Sequence, residues 1–271
     1  MNERTTRFGS DERLAGILTV PDGGNARHGC ILVSAGLLPK AGPYRLYTEL
    51  ARRLADEGIV SLRFDLGGIG ESTPDGSGLP LRERTEREVR SAIDHLTTEF
   101  TLDGVTLAGL CSGAEDSLRS AGVDARVSGV VMIDPFAYRA PGWFWRHALH
   151  RAGRRALRAL GVHAPINEPG AVRPRLVQYH YMEQPEAAGI LARLIERGTR
   201  LHFVYTAGVR ESFNHPSELA AAFPGLDFRD RVQVDFLSHL DHTQLLAADR
   251  RTLIETIAGP LCAAPARFSA A

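Results

Sequence analysis

The chain has 271 residues, 44% of them apolar, and its 32 basic and 32 acidic residues cancel. That length and apolar content suit one large α/β domain, alone or with an insertion. No window approaches ~18 apolar residues, so no membrane span is expected. The cancelled charge argues against nucleic-acid or membrane binding driven by bulk electrostatics. The polar start, Met1-Asn2-Glu3-Arg4, has no apolar signal core and predicts a cytoplasmic protein. Three widely spaced cysteines, Cys30, Cys111 and Cys262, argue against a disulfide framework and a cysteine metal site. All basic residues but Lys40 are arginine, which is read as genomic base composition.

In chain order, Thr5 to Phe8 and Leu14 to Val20 predict an antiparallel hairpin turned at Gly9-Ser10-Asp11. Cys30 to Ser34 is a continuous apolar run, as in a parallel-sheet strand buried on both faces. It ends at Ala35-Gly36-Leu37-Leu38. Tyr44 to Glu57 predicts a helix, with Leu46, Leu50 and Leu54 on one face and Gly58 as its stop. Ile59 to Phe64 is the next strand. Asp65 to Ser72 then reads D-x-x-G-x-G-x-S, but Thr73 stands where a dinucleotide fingerprint needs a third glycine, so a structural turn is expected. Leu81 to Thr98 predicts a second helix, its dense Arg/Glu face toward solvent.

Val105 to Leu110 is a strand that runs into Gly109-Leu110-Cys111-Ser112-Gly113, followed by a helix to about Ala121. A strand, a sharp turn and a helix place one reactive side chain at the apex, and the flanking glycines let strand and helix pack closely. Cys111 is the candidate nucleophile; reading Ser112 as the apex would put Leu110 where a small residue is needed. A buried, inert cysteine is the competing reading of the pentapeptide alone. Gly129 to Ile133 is a further strand, ending in Asp134-Pro135.

From Phe136 to about Gly198 the strand–helix alternation breaks. Residues 136–158 carry Tyr138, Trp143, Phe144 and Trp145, six arginines and no acid, and prolines divide the rest. Residues 136–198 are therefore expected to form an inserted helical lid, with 1–135 and 199–271 as the core domain. Tyr138, Trp143 and Trp145 are candidate substrate contacts. His147 and His150 are the nearest approach to metal-ligand spacing, and neither a metal nor a cofactor is expected. Leu201 to Tyr205 and Val232 to Phe236 complete the sheet, and a last helix covers roughly Arg250 to Ile257.

Acyl transfer needs a nucleophile, a base and an acid that orients the base. Cys111, then Glu211 in Gly208-Val209-Arg210-Glu211, then His242 in Leu240-Asp241-His242-Thr243 each follow a strand, in the order nucleophile, acid, base. Asp134 is the alternative acid, Asp241 suits a turn cap, and His239 is the rival histidine.

Over essentially its full length the sequence resembles the α/β-hydrolase superfamily, on Ser34-Ala35-Gly36-Leu37, Asp65 to Ser72, Gly109 to Ala114, Glu211 and His242. Within it, Gly-Leu-Cys-Ser-Gly-Ala and Asp134 to Arg139 look like the serine-aminopeptidase-like hydrolases, and the cysteine-bearing ones linked to exosortase and polysaccharide loci are the nearest look-alikes. Dienelactone hydrolases and polyhydroxyalkanoate synthases also place cysteine at this apex. The resemblance implies a mostly parallel sheet with helices on both faces, a Cys111–His242–Glu211 triad, and an oxyanion hole from the backbone N–H groups of Leu37 and Ser112. Ala35 departs from the family's usual His, and Glu211 from its Asp. The implied activity is hydrolysis of an ester or thioester through an acyl-thioester on Cys111. Acyl transfer to another acceptor, or binding without catalysis, are the alternatives. The lid arginines suggest an acyl-CoA or an acidic carrier protein as partner.

Overall fold

The computed structural model describes residues 1–159, 182–228 and 230–262. Residues 160–181 of the expected insertion lie outside the described residues.

The first two strands, β1 (Asn2–Phe8) and β2 (Leu14–Val20), form the antiparallel hairpin, in a register from Asn2 opposite Val20 to Phe8 opposite Leu14. Six further strands follow: β3 (His28–Val33), β4 (Val60–Phe64), β5 (Gly104–Leu110), β6 (Val127–Ile133), β7 (Arg200–Thr206) and β8 (Val232–Leu237). They build one sheet in the order β1-β2-β4-β3-β5-β6-β7-β8. β2 pairs antiparallel with β4, and every pair from β4 to β8 is parallel.

Parallel neighbours need long crossovers, and helices supply them. α1 (Leu46–Asp56) links β3 to β4, α2 (Leu81–Glu99) links β4 to β5, and α3 (Ser112–Val123) links β5 to β6. α4 (Trp143–Ala159) and α5 (Gln184–Glu196) lie between β6 and β7, α6 (Ser217–Ala222) lies between β7 and β8, and α7 (Ala247–Cys262) closes the described chain. α1 begins two residues later than its periodicity predicts, because Gly42, Tyr44 and Arg45 adopt positive φ in a preceding turn.

Alternate residues of the strands feed opposite faces. Cys30 and Leu32 of β3 pack with α1 and α7; Ile31 and Val33 pack with the cluster formed by α2, α3 and α5. Both faces are therefore dry, which explains the unbroken apolar runs in the parallel strands. Ala187, Ile190, Leu191 and Leu194 of α5 are buried in this second cluster. So the C-terminal part of the expected insertion is a core crossover helix, and α4 is the described helix that could act as cover.

The glycine-rich segment after β4 is a structural turn. Asp65 is fully buried; its carboxylate accepts from the backbone N–H and ammonium of Lys40 and from the N–H of Glu71. A Cβ on Gly70 would lie 2.4 Å from Asp65 Oδ2, so glycine is required for that wrap. No helix among the described residues is long and apolar enough to cross a membrane.

Leu107, wholly buried in β5, tests the core that carries the turn at Cys111. Leu107→Ala should lower unfolding stability by about 3 kcal/mol. Leu37→Ala, whose side chain is 65% exposed, should shift it by less than about 0.5 kcal/mol. Urea denaturation of both variants measures the contrast.

Candidate active site

Cys111 sits between β5 and α3 with φ 55° and ψ −118°, a conformation that costs a non-glycine residue energy. The two glycines around it make this geometry possible. A Cβ on Gly109 would lie 2.2 Å from the carbonyl oxygen of Gly113, and a Cβ on Gly113 would lie 2.4 Å from that of Val33. Neither backbone can move away, because Cys111 N–H donates to Ile133 at 2.8 Å and the Cys111 carbonyl accepts from Ala114. Buried Tyr47 of α1 adds a second tie, donating to Val33 O at 3.0 Å and accepting from Leu110 N–H at 2.9 Å. Its role was not legible in the sequence, where it reads as one more apolar-face residue of a helix.

His242 follows β8 on a turn that Asp241 caps. The Asp241 carboxylate accepts from Thr243 N–H and hydroxyl and from Gln244 N–H. The His242 ring lies between two groups: Nδ1 is 2.7 Å from Asp134 Oδ2, and Cys111 acts on the ring as a second group that favours its charged form. Burial works against the charged ring, but the hydrogen bonds and charges of Asp134 and Cys111 outweigh it and push the His242 pKa up to about 10.

The carboxylate that holds His242 is Asp134, and the expectation of Glu211 in that place is corrected. Glu211 is exposed, and the contact it makes near the site is a backbone one, its carbonyl accepting from Arg139 Nε. Asp134 ends β6 at φ 45° and is buried. Besides His242 it accepts from the N–H and the hydroxyl of Thr206, both at 2.6 Å. Thr206 is the last residue of the neighbouring strand β7, so strand pairing itself delivers these two donors. The Gly-x-x-Glu pattern that pointed to Glu211 has another use. A Cβ on Gly208 would lie 2.5 Å from His242 Cβ, so this glycine makes room for the histidine.

The two expected oxyanion donors lie on either side of the turn. Ser112 opens α3, and its hydroxyl accepts from Gly36 N–H at 2.9 Å. Leu38 N–H bonds back to Ala35. Between these two engaged N–H groups, that of Leu37 has no partner among the described residues.

A cavity of 620 Å³ opens at Cys111 and His242, walled mostly by apolar side chains such as Leu38, Leu66 and Leu81. Trp143, Trp145 and Tyr138, the expected substrate contacts, are not among the residues that line it. Trp143 is buried, stacked on His147 and capped by Arg139; Trp145 is 71% exposed; Tyr138 stacks on Phe136 and donates to Met182 O. Among the described residues no group of three or more His, Cys, Asp or Glu could hold a metal ion.

No protein-family model matches the sequence. No curated protein matches it either. Solved structures do. The α/β hydrolase GrgF from Penicillium sp. sh18 is 16% identical, with a TM-score of 0.62 over 95% of this chain and 96% of that one. The esterase domain of a Rhodothermus marinus protein is 18% identical, with a TM-score of 0.58 over 97% and 98%. An α/β serine hydrolase without lid from Xanthomonas campestris is 15% identical, with a TM-score of 0.58 over 98% and 97%. The chain has the α/β-hydrolase fold.

Because the folded-state pKa of His242 is raised, the stability it contributes is full below its ordinary value of 6.5 and is lost as pH rises through about 10. Asp134→Asn should bring the His242 titration down from about 10 and remove that alkaline dependence; Glu211→Gln should leave it in place. Proton NMR titration of the imidazole in the three proteins reads the difference.

Proposed function

We propose that this chain is an acyl-transfer enzyme with Cys111 as nucleophile, His242 as base and acid, and Asp134 as the group that orients His242. The observation that carries this reading is His242 held 2.7 Å from Asp134 and lining the same apolar cavity as a strained Cys111. His242 takes the proton of Cys111, and the thiolate is the form that attacks. In the first half-reaction Sγ bonds to the acyl carbon and the carbonyl electrons move onto oxygen. The N–H groups of Leu37 and Ser112 are the proposed donors to that oxyanion. As the tetrahedral species collapses, the bond to the alkoxide or thiolate leaving group breaks and His242 gives it the proton. Water, deprotonated by His242, then attacks the acyl-thioester; the acid leaves and the thiolate–imidazolium pair is restored.

The substrate class is an ester or thioester whose acyl group enters the apolar cavity. A second reading passes the acyl group from Cys111 to an amine, thiol or carbanion instead of water. It is favoured by the apolar rim: Leu38, Tyr44 and Leu81 line the cavity and remain between 37% and 53% exposed, a surface that excludes water once an acceptor or cover lies on it. For an acyl-CoA or acidic carrier the support is narrower. Arg146 pairs with buried Glu218 and Arg139 stacks on Trp143. Arg151 and Arg155 are exposed on α4, while the side chains of Arg154 and Arg158 lie outside the described ones.

Iodoacetamide at neutral pH should label Cys111 selectively, and His242→Ala should slow that labelling at least ~100-fold, the scale of a lost proton-transfer partner. Cys30, wholly buried with its thiol pushed up to about 12, is the internal control. Labelling of Cys111 no faster than Cys30 would favour a binding protein without catalysis. Intact-mass detection of an acyl adduct on Cys111 across esters and thioesters then identifies the acyl donor. The ratio of free acid to acceptor product decides between water and another acceptor.

A further inference from the structure

The cavity wall has one acid that the proposed chemistry does not use. Asp116 lies on α3, five residues beyond Cys111 and so about 7.5 Å further along the helix axis. It lines the same cavity, beside Leu66, Leu81 and Thr85. Its side chain is only 15% exposed, and its polar contact among the described residues is Arg119, at 3.6 Å. Arg119 is itself shared with Glu115 and Glu186. Thr85, the neighbouring polar residue of this wall, has turned its hydroxyl to Leu81 O in its own helix. Asp116 therefore presents hydrogen-bonding capacity to an apolar cavity, at a depth set by the helix that begins at the nucleophile.

A buried carboxyl without a full set of partners is costly in a stable fold unless something else meets it. The charged groups around it are mixed. Arg119 and Arg82 favour its ionised form; Glu115 and Glu86 oppose it; burial, the largest influence, raises its pKa to about 7. At neutral pH both protonation states are populated. An ammonium group would be matched only by the ionised state, and it would meet Arg119 and Arg82 nearby. A carboxylate would be matched only by the protonated state. A hydroxyl donates to the carboxylate and accepts from the carboxylic acid, so it pairs with either.

We infer that Asp116 is a specificity-determining residue that selects an acyl chain bearing a hydroxyl group part-way along its length. The hydroxyl meets the Asp116 carboxyl while the acyl carbon lies at Cys111 and the intervening methylenes lie against Leu66 and Leu81. The inference rests on the acyl group occupying this cavity, as in the proposed function. It adds the chemistry of that group. A cavity built around a hydrogen-bonding group discriminates strongly against a chain that leaves the group unpaired, whereas a purely apolar wall separates such chains weakly.

Two arms test it with the full chain. The first compares thioesters of one chain length, plain or hydroxylated at successive carbons, in the native protein and in Asp116→Asn and Asp116→Leu. The native protein should prefer one hydroxylated isomer over the plain chain at least ~10-fold in kcat/KM. Asp116→Asn should keep part of that preference, and Asp116→Leu should bring the ratio to one or below. The second arm needs no chemistry: calorimetric binding of the matching hydroxylated and plain primary amides to Cys111→Ala and to Cys111→Ala/Asp116→Leu. There the hydroxylated amide should bind more tightly only where Asp116 is present. Equal affinities of plain and hydroxylated amides for Cys111→Ala would overturn the inference even if Cys111 is acylated. So would an unchanged preference in the Leu variants. A hydroxyl preference in binding with no acylation by any thioester would support the inference while rejecting the proposed reaction. Native-like circular dichroism of each variant identifies any loss caused by misfolding, and the Asn variant, which keeps the shape of the side chain, then carries the comparison.

Discussion

The site depends on one close approach: the backbone of β5 at Gly109 against that of α3 at Gly113. With no side chain on either residue, the carbonyl of Gly113 comes within 2.2 Å of where a Cβ on Gly109 would stand. This contact forces the chain through a turn tight enough to hold Cys111 at φ 55°. The strain is opposed by interactions on every side. Cys111 N–H is tied to β6, Tyr47 bridges β3 and β5, and two apolar clusters clamp the sheet from both faces. A turn this constrained aims one side chain out of an otherwise dry core.

Around that apex, parallel strands end together, and this collects residues far apart in sequence. Asp134 leaves β6, Thr206 ends β7, and His242 follows β8. Thr206 supplies two donors to Asp134, so the carboxylate is satisfied before His242 arrives and has little freedom to turn away. The bond to His242 Nδ1 then fixes which ring nitrogen faces Cys111. The raised pKa of His242 is the electrostatic result of its pairing with Asp134 and its nearness to Cys111. For a thiol nucleophile such a pair suits attack directly, where a serine would need its proton removed during the reaction.

The cavity extends the same logic from reactivity to selection. α3 starts beside Cys111, so its first turns set distances along the cavity from that residue. The apolar wall from α2 and the loop after β4 supplies affinity for methylenes, which is large but indiscriminate. A single carboxyl, that of Asp116, stands in that wall.

Much of this was written in the amino-acid order. The glycines at 109 and 113 can be read as a strand–turn–helix because only residues without a Cβ fit there. The apolar runs at Cys30 to Ser34 and Gly129 to Ile133 reveal a doubly covered sheet because burial on both faces removes the usual alternation. Cys111 and His242 stand out because each combines a reactive side chain with a strand end. The aromatic residues after Asp134 were a weaker guide: composition marked Trp143, Trp145 and Tyr138 as unusual, but the direction in which they project depends on how α4 sits on the core. The choice of acid lay beyond the sequence for a sharper reason. Asp134 and Glu211 both follow strands, and both fit the order of residues along the chain. Only the pairing of β6 with β7, which brings the donors of Thr206 to Asp134, and the use of Gly208 as space for His242, decide between them. Local sequence determines which backbone shapes are possible; the meeting of side chains 108 residues apart is settled by the sheet that assembles them.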